Sequence, residues 1–169
     1  MKKIAVILAS LLMAACAGTP KNAPVQSDQS APAPASVAPA AQGDVESQRL
    51  AAEKAELATL QKLSVYFDFD QFSIKSEFNA AIQRQADFIK SHGADVVTLE
   101  GNADERGSTE YNLALGEKRA SAVKKSLNML GVADKQLKVV SLSDEKPRLL
   151  CHEEKCWKEN RRVDFVHKQ

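Results

Sequence analysis

Glu100-Gly101-Asn102-Ala103-Asp104-Glu105-Arg106-Gly107-Ser108-Thr109-Glu110-Tyr111-Asn112 is the stretch from which the fold is read. Val96 to Glu100, leading into it, reads as a strand, and Gly101 to Gly107 as a loop. Thr109 to Met129 carries Leu113, Ala120, Val123, Leu127 and Leu130 at helical spacing, with Gly131 as the stop signal. A strand that exits through a polar loop into a long helix is half of a βαβ unit, and binding residues concentrate in such loops. The alternation continues outward on both sides. Val65 to Phe69 reads as a strand and Gln71 to Ser76 as a turn. Glu77 to His92 is an amphipathic helix with Phe78, Ile82, Ala86 (or Gln85) and Ile89 inward, closed by Gly93. Leu137 to Ser141 and Arg162 to Val166 are further strands, separated by a loop over Asp144 to Lys158. The predicted fold class is α/β, a mixed sheet with helices packed on one face, over residues 63–169.

The N-terminal third has a different character. Lys2 and Lys3, the apolar run Ile4 to Leu12 and the small residues Ala14 and Ala15 describe a secretory signal peptide over residues 1–15. The apolar run is too short for a membrane span, which needs roughly 20 residues. Cys16 follows at once, and this arrangement resembles the bacterial lipobox, with Met13 where Leu is usual. In that motif the cysteine is lipidated and becomes the first mature residue. Ala17 to Gly43 is rich in Ala, Pro, Ser and Gln and has no aromatic residue, the composition of a disordered linker. Asp44 to Lys62 is helix-prone but weakly amphipathic, either a short helix leading into the domain or more linker. Residues 16–62 thus form a lipidated N-terminus and flexible linker, a tether of roughly 45 residues that spans ~40 Å as a coil and at most ~150 Å extended.

The formal net charge is +1, unlike the strongly basic domains that bind nucleic acid by charge. Asp68 and Asp70 have the proximity of an acid/base pair, but no nucleophile elbow, HExxH or Gly-rich phosphate loop accompanies them, and Asp68 is read as bracing a strand end. With Cys16 lipidated, Cys151 and Cys156 remain. A zinc site needs four ligands and a different spacing, so a disulfide in an oxidising compartment is the simpler reading. Trp157 is read as packing at the base of that loop. Arg161 and Arg162 on a strand point to opposite faces, one paired with an acid or facing the sheet and the other solvated.

The central stretch holds the chemistry. Asp104 lies near a helix start, where a carboxylate is electrostatically favoured. Asn112 and Arg119 are two helical turns apart on one face, beside the apolar stripe. Asp104 and Arg119 together suit a zwitterion, the aspartate taking an ammonium and the arginine a carboxylate. A plain Asp104–Arg119 salt bridge fits the spacing equally well.

Four motifs in order carry a resemblance: Tyr66-Phe67-Asp68-Phe69-Asp70, Glu100 to Asn112, Leu115-Gly116-Glu117-Lys118-Arg119-Ala120 and Asn160-Arg161-Arg162-Val163. Over about the last 105 residues the chain resembles the OmpA-like peptidoglycan-binding domains, and within them the family of peptidoglycan-associated lipoproteins. The resemblance implies a βαβαβ-type sandwich in which Asp104 and Arg119 bind the diaminopimelate of an uncrosslinked stem peptide, with Asp70 and Asn112 as supporting contacts. It implies no cofactor, no metal and no enzymatic activity. It also implies an outer-membrane lipoprotein anchored through an acylated Cys16, its domain in the periplasm, since Ala17 is not the aspartate that retains lipoproteins in the inner membrane. Partners implied are peptidoglycan and the Tol proteins (TolB and TolA) that help hold the envelope together in division. Asn102 replaces a usual histidine and leaves the aspartate of the motif intact. Ser141-Leu142-Ser143-Asp144-Glu145-Lys146-Pro147 lacks a usual Tyr-Gly pair, a change to the loop near the ligand or the Tol contact, and the Cys151–Cys156 pair, not general in the family, weakens the Tol implication. Two rival readings are a wall-binding lipoprotein without Tol partners and an enzyme acting on wall peptides. Thiol titration of the mature protein should find no free thiol; two reactive thiols would revive the metal reading of Cys151 and Cys156.

Overall fold

A helix opens the part of the chain that a computed structural model describes, residues 40–168, with side chains from Gly43 onward. The signal peptide, the lipidation residue Cys16 and the stretch up to residue 39 lie outside the described residues. Helix α1 (Ala40–Leu60) is built from Ala, Glu, Gln and Leu, residues of high helix propensity, and is longer than the helix-prone segment seen in the sequence. Most of its side chains are exposed, but it is docked at its end. Leu60 is fully buried, the Gln85 amide donates to the Leu60 carbonyl at 2.8 Å, and Glu53 Oε1 lies 3.0 Å from His92 Nε2.

Strand β1 (Ser64–Tyr66) is shorter than its predicted span. The Phe67 amide still donates to the Arg161 carbonyl at 2.9 Å, and the chain then turns, with Gln71 N–H donating to the Asp68 carbonyl. Asp70 sits in this turn at φ 58°, a left-handed conformation that Asp tolerates better than most residues. A single 3-10 turn (Ser76–Phe78) leads into α2 (Asn79–Ser91), which buries Ile82, Gln85, Ala86, Phe88 and Ile89. There follow β2 (Val96–Asn102), α3 (Thr109–Met129), β3 (Leu137–Ser143), α4 (Glu154–Asn160) and β4 (Arg162–Lys168). The sheet order is β1-β4-β2-β3; β4 runs antiparallel to both neighbours, and β2 and β3 are parallel. The mixed α/β sheet is as predicted. Val97, Leu99, Val163 and Phe165 point into the core with Ile82, Ile89, Val123 and Leu127 of the helices. Lys138 and Val140 face outward, so the helices cover one side.

Three expectations need correcting. The inward face of α3 is Asn112, Leu115, Gly116, Arg119, Ala120, Val123 and Leu127, while Leu113 is 50% exposed. A search for an apolar stripe misplaces this face because two of its inward positions are polar. The segment read as a loop from Asp144 to Lys158 ends in α4, which is short and charged and has no apolar period to announce it. Arg161 lies between α4 and β4, and both Arg161 and Arg162 are buried and paired, so neither is solvated.

Helix α3 lies close against β2 where two glycines face each other. A Cβ on Gly101 would stand 1.9 Å from the Gly116 carbonyl oxygen, and one on Gly116 would stand 2.4 Å from Ser141 Oγ and 2.7 Å from the Gly101 carbonyl oxygen. Both positions therefore need glycine for lack of space. This contact brings Arg119, one turn further along α3, against the end of β2. Gly101→Ala or Gly116→Ala should cost about 2–3 kcal/mol as the helix is pushed off the sheet, read as a lower urea midpoint. An unchanged midpoint would show that the helix has room to move.

Candidate ligand-binding site

A small cleft opens where the ends of β1 and β2 meet the starts of α3 and β4, with Phe69, Asp70, Asp104, Arg106, Tyr111 and Arg119 among its lining residues. Asp104 is only 4% exposed. Its Oδ1 accepts from the Arg106 amide and Nε, both at 3.1 Å; its Oδ2 accepts from Arg106 Nη2 at 2.6 Å and Arg161 Nη1 at 3.2 Å. Burial pushes the carboxyl up, but the Arg106 and Arg161 hydrogen bonds outweigh it and hold the group below the ordinary carboxylate range. The start of α3 is capped by Ser108, whose Oγ accepts from Tyr111 N–H, so Asp104 is not the helix cap.

Arg119 is the largest fully buried side chain among the described residues. Its Nε donates to the Gln71 carbonyl at 2.8 Å, Nη1 to Asn102 at 2.9 Å and Nη2 to Asp68 at 3.2 Å. No carboxylate among the described residues lies within ion-pair distance of it, so the Asp104–Arg119 salt bridge allowed by the spacing does not form. Burial, with the neighbouring charge of Arg161, drags the Arg119 guanidinium down to about 10, while Asp104 and Asp70 oppose the shift in part. It remains a cation at neutral pH, short of counter-charge. A guanidinium carries five N–H donors, so two are left for a further acceptor.

The two predicted supporting residues take different roles. Asn112 is buried and donates from Nδ2 to the Asp104 carbonyl at 3.1 Å, which fixes the loop. The Asp70 carboxylate accepts from the Tyr111 hydroxyl across the cleft, and this bond raises the tyrosine's pKa. Asp70, Asp104, Asn112 and Arg119 are thus brought together.

Sequence reasoning missed Arg106, Arg161 and Trp157 as site residues. The Arg106 guanidinium lies 4.1 Å from the ring centroids of both Phe69 and Trp157. Arg161 donates to the Phe67 carbonyl at 3.0 Å and pairs with Asp104 and Glu154. The Asn160-Arg161-Arg162-Val163 motif held a signal for Arg161; nothing in the spacing placed Trp157 over Arg106. Cys151 and Cys156 form a disulfide. Among the described residues no group of three or more His, Cys, Asp or Glu side chains is placed to hold a metal ion.

The sequence model of the OmpA family matches residues 66–161, a span that holds every residue of this cleft. The chain belongs to the OmpA family. It is 44% identical over 104 residues to the peptidoglycan-associated lipoprotein of Pasteurella multocida, covering 62% of this chain and 69% of that one. It is 41% identical over 102 residues to that of Agrobacterium fabrum, covering 60% and 58%. The crystal structure of the peptidoglycan-associated lipoprotein from Burkholderia pseudomallei is similar at 50% identity with a TM-score of 0.62, over 63% of this chain and 91% of that one. The matched region thus spans between 58% and 69% of these two curated relatives' length.

A lowered carboxyl fixes the sign of the acid response of this OmpA-family domain. The stability Asp104 contributes is whole above the unfolded-state value of about 4 and is lost as pH falls through its lower folded-state value. The urea midpoint should fall along that limb, and Asp104→Asn should remove part of the slope. Identical slopes would mean that other carboxylates carry the acid response.

Proposed function

We propose that this protein is a non-enzymatic outer-membrane lipoprotein that binds peptidoglycan in the Asp104–Arg119 cleft and tethers the membrane to the wall. The supporting observation is Arg119: a buried guanidinium with three donors on backbone carbonyls, two to spare and no carboxylate partner among the described residues. It is ready for a carboxylate that the protein does not itself supply. The free end of a diaminopimelate side chain brings a carboxylate and an ammonium on one carbon. Arg119 receives the first, and the acidic side made by Asp70 and Asp104 receives the second. Because Asp104 is saturated by Arg106 and Arg161, and Asp70 is bonded to Tyr111, the ammonium enters by exchange with one of these internal partners.

The ionisation of the cleft supports binding over catalysis. Asp104 and Glu154 are held low and Arg119 stays charged, whereas general acid–base catalysis needs a group poised near the working pH. Modest affinity suffices, since a lipid-tethered domain meets wall sites at high effective concentration. The Tol association implied by the resemblance belongs to the same reading and rests on similarity to peptidoglycan-associated lipoproteins. Co-purification of TolB with the lipoprotein tests it, and its absence would leave a wall tether alone.

For the cleft itself, the test is calorimetry of the full-length protein in detergent with a diaminopimelate-containing muropeptide. Arg119→Lys, which keeps the charge and loses the fork, should weaken binding by about tenfold, and Asp104→Asn should do at least as much. Wild-type affinity in both variants would remove the site assignment. Turnover of the muropeptide would remove the non-enzymatic reading.

A further inference from the structure

The disulfide is joined to the cleft by more than proximity. Cys151 and Cys156 close a short loop that ends inside the first turn of α4. That helix has 7 residues and no side-chain cap at its N-terminus, where Glu153 sits in extended conformation. Helices this short are not stable on their own. The two ends of α4 are held by different means. At the C-terminal end, Asn160 Oδ1 accepts from the Arg148 and Leu149 amides at 2.8 and 3.0 Å, and its Nδ2 donates to the Leu149 carbonyl at 2.8 Å. At the N-terminal end, the covalent tie is the disulfide, with Cys156 only 4% exposed.

The residues of that N-terminal turn are those that reach the cleft. Glu154 pairs with Arg161, which in turn holds Asp104, and lies 3.8 Å from Arg106. Trp157 covers the Arg106 guanidinium and donates from Nε1 to Glu105 Oε1 at 2.8 Å. His152, inside the disulfide loop, is 2.6 Å from Glu105 Oε2. Glu105 is pulled below the ordinary carboxylate range first by the Trp157 bond and then by His152, and Glu154 first by Arg161. Both arginines that saturate Asp104 are therefore braced from behind by this segment.

We propose that the Cys151–Cys156 loop and the first turn of α4 are a positioning wall for the ligand site. On this view the disulfide sets the affinity of the cleft by fixing Trp157 and Glu154 against Arg106 and Arg161. The inference rests on the proposed reading of the cleft. Trp157 and Glu154 are positioning residues, acting on the ligand through the two arginines. Exchange with a dithiol opens the bridge: two electrons and two protons pass to the protein, Cys151 and Cys156 become thiols, and the dithiol becomes its own disulfide. The turn is then held without a covalent tie, by its side-chain contacts and the Cys156 and Trp157 amides on the Glu153 carbonyl, while Asn160 keeps the rest of α4 in place.

The experiment compares the oxidised full-length protein with the same protein reduced by dithiothreitol. Binding of a diaminopimelate-containing muropeptide is followed by calorimetry and by the fluorescence of Trp157, the only tryptophan. The expected result is a ligand-induced change in Trp157 emission in the oxidised form, about tenfold weaker binding after reduction, unchanged far-ultraviolet circular dichroism, and recovery on reoxidation. In the oxidised protein Trp157→Phe, which keeps the stack and loses the bond to Glu105, should fall between the two; this variant serves if reduction unfolds the chain. Equal affinity of oxidised, reduced and Trp157→Phe protein would overturn the positioning wall and leave the cleft reading intact. Absence of binding by the oxidised protein would overturn the cleft reading, and the wall with it.

Discussion

One buried guanidinium organises this domain. Arg119 joins three chain segments: the turn after β1, through the Asp68 and Gln71 carbonyls, the end of β2, through Asn102, and α3, on which it is carried. Removing a cation from water is expensive, and hydrogen bonds to neutral carbonyls offset that only in part. The Gly101–Gly116 contact makes the arrangement reachable, because it lets α3 lie close enough for its arginine to touch the strand end. Packing and site are in this sense one constraint. Close helix–strand approach, inward polar residues on α3 and the left-handed turn at Asp70 are each costly alone, and together they make the cleft.

The electrostatics of the cleft have two tiers. Asp104, Arg106, Arg161 and Glu154 form a closed circuit in which each charge has a partner of opposite sign. Arg119 stands outside that circuit. The cleft thus sets a satisfied network on one side and an uncompensated cation on the other, so the charge it lacks is an anion beside Arg119. The aromatic faces of Phe69 and Trp157 flank the Arg106 guanidinium and add cation–π attraction to its hold on Asp104.

Much of this was legible in the sequence. The span of α3 was readable because its apolar spacing and its stop, Gly131, are local signals, and Gly131 takes φ 91° as the residue that ends the helix; its cap, Ser108, emerges only in the structure. The loop holding Asp104 was readable because polar residues between a strand and a helix have few other uses. Which face of α3 points inward was not, since Asn112 and Arg119 occupy buried positions that an apolar stripe assigns to solvent. Nor was the partner of Asp104. Arg119 is the cation that spacing brings to mind, yet Arg106, two residues away, and Arg161, which returns only with β4, take the carboxylate. Contacts made by strand order are invisible to local pattern, and α4 escaped for the opposite reason, being too short to show a period.

The position of β1 has a mechanical consequence. The chain enters it directly from α1 at one end and leaves it at the other into the Phe67–Asp70 turn, which supplies Phe69 and Asp70 to the cleft. In a domain held by its N-terminal side and by its ligand, tension enters at one end of β1 and is resisted at the other, so it runs along the strand. Antiparallel pairing of Ser64 to Tyr66 with Asp164 to Arg162 then loads the ladder in shear, with its hydrogen bonds sharing the force. Arg148 adds a cross-brace at the same place, donating to Tyr66 Oη, Ser64 Oγ and Asp164 Oδ1. A three-residue edge strand, unimpressive as a contributor to folding, is oriented to resist being peeled.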